Sequence, residues 1–144
     1  MQEDLEASTT FVTLFAARVD PASGDLTYVD AGHGLALVLD REGRARTLRS
    51  TDLPLGTLPD DRWHEHRDRL EQGETLLLIS DGVLDAFADV AAAITAAEQV
   101  AREALGIERL VDRVCGLFVE SLQPDDVTVV AVRRTAHAAT GRGT

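Results

Sequence analysis

The run Thr75-Leu76-Leu77-Leu78-Ile79 is apolar at consecutive positions and stops abruptly at Ser80-Asp81-Gly82. A strand with one face in water alternates apolar and polar side chains, so this run predicts a strand buried on both faces. Val127-Thr128-Val129-Val130-Ala131-Val132 predicts a second buried strand. The fold must therefore cover a sheet on two sides. With 144 residues, 44% of them hydrophobic, the chain has material for one domain of ordinary core size. Aromatic residues are only 4%, which leaves the core to Ala, Val and Leu.

Before Thr75 the pattern is strands and tight turns. Phe11 to Val19 is rich in β-formers, Asp20-Pro21-Ala22-Ser23-Gly24-Asp25 is hairpin chemistry, and Leu26 to Asp30 returns as the partner strand. After Ala31-Gly32-His33-Gly34 come a third strand, Leu35 to Leu39, and a short fourth around Arg46-Thr47-Leu48, which together predict an antiparallel meander. Leu53-Pro54-Leu55-Gly56-Thr57-Leu58-Pro59 lacks donors at its prolines and is a crossing loop. Trp63 to Leu70 alternates charges and is an edge strand at best. Beyond Gly82 the pattern becomes helical: an Ala-rich helix over Leu84 to Leu105, a stop at Gly106, and an amphipathic helix from Ile107 to about Leu122. Arg133 to Thr144 is small and polar, so residues 135–144 read as a disordered tail.

Twenty-five acidic residues against fourteen basic ones, all of them Arg, give a net charge of -11, which repels a nucleic-acid backbone. No apolar stretch approaches the roughly 20 residues of a membrane helix. The N-terminus Met1-Gln2-Glu3-Asp4-Leu5-Glu6 is acidic where a signal peptide would be basic, so the expectation is a cytoplasmic protein without a membrane partner. A single cysteine, Cys115, excludes an internal disulfide and reads as a buried thiol beside Val114, Leu117 and Phe118.

Polar residues at the ends of buried strands are held by rigid elements yet sit at their mouths. Asp81 follows one such strand and Asp125-Asp126 precede the other. If the two strands are neighbours, three carboxylates share one rim, and their repulsion calls for a cation. Oxygen donors without a Cys or His cluster favour Mg2+ or Mn2+ over zinc. On spacing alone, a turn at Asp81-Gly82 and a connector at Asp125-Asp126 remain the better reading. His33, between two glycines, reads as a general acid or ligand on one view and as a loop histidine bonded to backbone on the plainer one. His64 and His66 would point the same way on a strand and could take up a metal, but solvated residues are the simpler reading, as they are for Asp60, Asp61 and Glu65.

The order of motifs adds what spacing cannot. Phe11-Val12-Thr13-Leu14-Phe15, Leu26-Thr27-Tyr28-Val29-Asp30-Ala31-Gly32-His33, Leu53-Pro54-Leu55-Gly56, Gly73 through Val83 and Pro124-Asp125-Asp126-Val127-Thr128 occur in that order. Together they resemble the bacterial PP2C-type (PPM) serine/threonine phosphatases of the sporulation stage II protein E and sigma-regulator class, over about residues 4–134.

The resemblance implies an α+β fold, an antiparallel β-sandwich flanked by helices, with residues 1–134 forming the C-terminal portion of the domain. It implies two Mn2+ or Mg2+ ions, with Asp81 and Asp125 as metal ligands and catalytic residues and Asp126 beside them. The implied reaction is metal-assisted hydrolysis of phosphoserine or phosphothreonine in a regulatory protein such as an anti-sigma-factor antagonist.

One departure bears on activity. The family segment Asp-Val-x-Gly-His-Gly, whose Asp bridges the metals, is not in this sequence, and its only Gly-His is Gly32-His33 in another block. That predicts weak metal binding, little activity in this chain alone, and open sheet edges that favour self-association into a homo-oligomer. The alternative is a non-catalytic regulatory module that keeps the phosphatase scaffold.

Overall fold

The computed structural model describes residues 11–80, 86–117 and 127–136. The order of elements is β1 (Leu14–Val19), β2 (Asp25–Ala31), β3 (Gly34–Leu39), β4 (Ala45–Thr47), β5 (His66–Arg69), β6 (Thr75–Ser80), α1 (Val90–Glu103), α2 (Ile107–Gly116) and β7 (Val129–Arg133). They form two antiparallel sheets, a three-stranded one in the order β1-β2-β5 and a four-stranded one in the order β4-β3-β6-β7, plus two helices. This is the expected α+β sandwich.

The β1-β2 hairpin follows from Asp20, whose Oδ1 accepts the amides of Ala22 at 2.8 Å and Ser23 at 3.0 Å and so fixes the turn. Gly24 closes it with φ of 83°, and an added Cβ would stand 2.4 Å from both the Leu70 carbonyl and the Arg134 guanidinium. Arg134 itself donates to the carbonyls of Pro21, Ala22 and Leu70, tying the chain beyond β7 to this hairpin.

The strands do not form one continuous meander. β2 pairs with β1 and β5, whereas β3 pairs with β4 and β6, so the chain changes sheet between Ala31 and Gly34. The cause lies in burial: Leu35 to Leu39 are all buried and need cover on both faces, which only the middle layer provides. Gly32 and Gly34, with φ of 69° and 115°, supply the backbone bend for the crossing.

Successive residues of β3 and β6 face opposite cores. Ala36, Val38 and Leu76 meet Leu26 and Tyr28 of β2, together with Leu48 and Leu70, between the sheets. Leu35, Leu37, Leu39, Leu77 and Ile79 face the other way, against Ala93, Ala97 and Val100 of α1 and Leu110 and Val114 of α2. Each fully buried Leu is worth about 1.5–3 kcal/mol of transfer free energy. The alanines of α1 keep that helix slim where it meets the sheet.

Further expectations need correction. The first helix begins at Val90 rather than Leu84, because Asp89 caps it by accepting the Ala92 amide at 2.7 Å, and Leu84 lies outside the described residues. The described part of the second helix ends at Gly116, and residues 118–126 lie outside. The last strand is not buried on both faces: β7 is the outer strand of its sheet, and Val130 and Val132 are 45% and 46% exposed. Both pair with inward-facing residues, Leu78 and Leu76, but the narrower three-stranded sheet does not reach over them. Cys115 is half-buried rather than enclosed. β5 is the outer strand of its sheet, as its charges predicted.

Candidate metal centre

The two strands singled out by their apolar runs are direct neighbours. Ile79 pairs with Val129 and Thr75 with Arg133, antiparallel throughout. At the rim the pairing continues: the Ser80 amide donates to the Thr128 carbonyl at 3.0 Å, and the Thr128 amide donates to Ser80 Oγ at 3.0 Å. Asp81, Asp125 and Asp126 themselves lie outside the described residues.

On the other side of β6, Gly34 pairs with Ser80, so the start of β3 reaches the same rim. His33 immediately precedes it, and its surroundings differ from the expected backbone-bonded loop histidine. Its ring lies against Phe15, 6.0 Å between centroids, and among the described residues its buried Nε2 has no hydrogen-bond partner. The residue is held by its main chain instead, the His33 amide donating to Asp30 Oδ1 at 2.8 Å. Asp30 is buried at 6% exposure, and its carbonyl accepts the Ser50 hydroxyl at 2.9 Å. A Cβ on Gly32 would sit 2.7 Å from the Pro54 ring, so the crossing loop closes over this corner.

The crossing loop carries a second polar cluster. The Asp52 carboxylate, 6% exposed, takes the His64 amide on Oδ2 at 2.6 Å and His64 Nδ1 on Oδ1 at 2.8 Å. The His64 amide, and then the hydrogen bond from the His64 ring, hold the Asp52 carboxyl below the usual carboxylate range, against a smaller opposing effect of burial. His64 and His66 are not a matched, solvated pair. The His64 ring is exposed, whereas the His66 ring stacks on Tyr28 at 5.2 Å with its Nε2 buried and, among the described residues, unpartnered. Asp61, expected as open surface, has Oδ2 buried without a partner. Burial, followed by the charges of Asp68 and Asp30, pushes the Tyr28 hydroxyl up. Among the described residues no group of three His, Cys, Asp or Glu side chains could hold a metal ion.

Two buried carboxylates, Asp30 and Asp52, were missed by the sequence reading. Asp30 shares the inward parity of Leu26 and Tyr28 on β2, a signal that was present. Asp52 gave none, because its partner His64 is twelve residues away.

Two antiparallel sheets with two helices packed on an outer face are the fold shared with PP2C-type phosphatase domains. The chain belongs to the family Stage II sporulation protein E (SpoIIE), which it matches over residues 1–135. It is 31% identical over 135 residues to Protein IcfG of Synechocystis, an alignment covering 86% of this chain and 21% of that protein. Among solved structures it is similar to the RsbU and RsbW domains of Rv1364c from Mycobacterium tuberculosis, with 27% identity, TM-score 0.74, and coverage of 86% of this chain and 37% of that one. The phosphatase domain of the cell fate determinant SpoIIE from Bacillus subtilis, presoaked with Mn, shares the fold at 17% identity and TM-score 0.61, covering 88% of this chain and 57% of that one. The chain thus spans about a fifth of its curated relative. Among the described residues no helix is long and apolar enough to cross a membrane.

Proposed function

We propose that this chain is part of a metal-dependent protein serine/threonine phosphatase, acting on phosphoserine or phosphothreonine in a small regulatory protein of the anti-sigma-factor antagonist type. The observation that carries the reading is the clasp of Ser80 and Thr128. Asp81 is the residue after the first, and Asp125-Asp126 lie just ahead of the second, so the covalent chain favours three carboxylates at one rim. Their mutual repulsion is offset by a dication, and an oxygen donor set suits Mn2+ or Mg2+.

Bound there, such ions supply an activated water and neutralise phosphoryl oxygens. The chain's own part is to hold Asp81, Asp125 and Asp126 at the ends of strands whose positions are fixed by the core around Leu77 and Ile79. Among the described residues, His33 immediately precedes Gly34, the partner of Ser80, and its buried Nε2 has no hydrogen-bond partner. The Mn presoak of the Bacillus subtilis phosphatase domain supports the choice of ion, and the RsbW domain accompanying RsbU in Rv1364c supports a regulatory protein as partner. The proposed compartment is the cytoplasm.

One observation favours the non-catalytic alternative for these 144 residues: they contain no Asp-Val-x-Gly-His-Gly segment to bridge two metals. The test is hydrolysis of p-nitrophenyl phosphate with millimolar Mn2+. The chain alone is expected to show little or no turnover, and a protein joining it to such a segment is expected to be active and to lose activity in Asp81→Asn. Near-normal turnover in that mutant would remove Asp81 from the site.

A further inference from the structure

We propose that the outer edge of β7 is a self-association surface, on which β7 of a second copy of this chain pairs antiparallel about a two-fold axis at Ala131. The inference does not depend on the metal-site reading. The direction of the main-chain groups comes first. The Arg134 amide donates to the Glu74 carbonyl at 3.1 Å and the Ser80 amide to the Thr128 carbonyl at 3.0 Å, so Thr128, Val130, Val132 and Arg134 turn their main-chain groups toward β6. These groups alternate in direction along an antiparallel strand, which leaves those of Val129, Ala131 and Arg133 on the outer edge. Among the described residues no strand pairs with that edge.

The other sheet edges carry features that discourage pairing with a foreign strand. β5 is His66-Arg67-Asp68-Arg69, β4 has three residues and gives its Ala45 amide to Glu98 at 2.8 Å, and β1 carries Arg18. β7 has no charge before Arg133, and its Val130 and Val132 stand exposed on the face that the three-stranded sheet does not cover. A second β7 fits this edge. Centring the axis on Ala131 pairs all five residues: Ala131 with its counterpart and Val129 with the other Arg133 in hydrogen-bonded positions, and Val130 opposite Val132. The four valines then lie side by side on one face, and cross-strand pairs of β-branched residues are favourable.

Charge agrees with a second copy as the occupant. In a chain of net charge -11, Val127 to Arg134 holds two arginines and no acid, so two copies meet here without opposing carboxylates. By sequence order, Asp125-Asp126 precede the strand and Arg133-Arg134 close it, so antiparallel pairing runs the basic end of each copy toward the acidic lead of the other. Two five-residue strands make a small interface, so the dimer is weak, and dilute samples hold the monomer in which both valines remain exposed.

The test is sedimentation equilibrium of the 144-residue chain with EDTA present, across the micromolar range, together with amide exchange at both ends of that range. The mass is expected to rise from 15.5 kDa toward twice that value and stop there, as a closed two-fold pair requires. The Val129 and Ala131 amides are expected to gain protection with concentration, whereas those of Val130 and Val132, already bonded to β6, are protected throughout. Val132→Lys puts a charge on the edge at an exposed position and is expected to stay monomeric, with the Val130 amide still protected as the sign that the fold holds. Leu58→Lys, at another exposed apolar position, is expected to dimerise as the wild type does. A wild type that stays monomeric would overturn the proposal and leave the edge to a strand of a different polypeptide. Masses that pass twice the monomer, dimers undiminished in Val132→Lys, or dimers formed without added protection of Ala131 would each overturn it by placing self-association elsewhere.

Discussion

Ser80 and Thr128 hold each other by two hydrogen bonds of 3.0 Å, one between main-chain groups and one from the Thr128 amide to Ser80 Oγ. The second bond depends on a side chain. Ser80→Ala leaves the Thr128 amide to water and is expected to lower stability by about 0.5–1.5 kcal/mol. Urea unfolding checks this; an unchanged midpoint would show that the side-chain bond adds nothing to the main-chain pairing.

Leu77 and Val130 come from the two apolar runs but lie in different surroundings. Leu77 is fully buried against the helices, so Leu77→Ala is expected to cost about 2–5 kcal/mol. Val130 is 45% exposed on the outer strand, and Val130→Thr should change stability by well under 1 kcal/mol. Comparable losses in the two variants would mean that β7 is covered in solution.

Acid should loosen the crossing loop through Asp52. Its folded-state pKa is depressed, first by the His64 amide and then by the His64 ring, so its contribution is fully present above the unfolded carboxylate value of about 4 and fades as pH falls through the lower folded value. Asp52→Asn removes the titrating group. Stability measured from neutral pH downward should therefore fall less steeply in this variant than in wild type, and parallel acid limbs would refute the assignment.

A ligand carboxylate and a structural one respond differently to Asp81→Asn without metal. On the proposed reading the substitution relieves repulsion at an acidic rim, so the melting temperature of the metal-free protein holds or rises. A clear drop in melting temperature with Mn2+ affinity intact would instead mark Asp81 as a turn residue.

Much of this fold was legible because its signals are local. The apolar run Leu76 to Ile79 marked a strand covered twice, and Asp20 followed by Gly24 a tight turn; both were found where expected, whereas the same signal at Val129 to Val132 belongs to an edge strand. The motif order from Phe11 to Thr128 was enough to place the chain in its family. Helix ends were less legible, since Asp89 rather than the Ala content decided where α1 starts.

The sequence by itself determined the double-covered strand β6, the existence of a last strand after Asp126, and the two helices. Tertiary structure alone decided that β2 and β3 part into different sheets, that β7 stands uncovered at an edge, and that Asp30, the Asp52 side chain and the His33 Nε2 atom are buried. The physical reason is range. A residue's period and turn chemistry are set by its immediate neighbours, whereas which face is covered, and whether a polar atom finds a partner, depends on groups that arrive from distant positions only when the layers close.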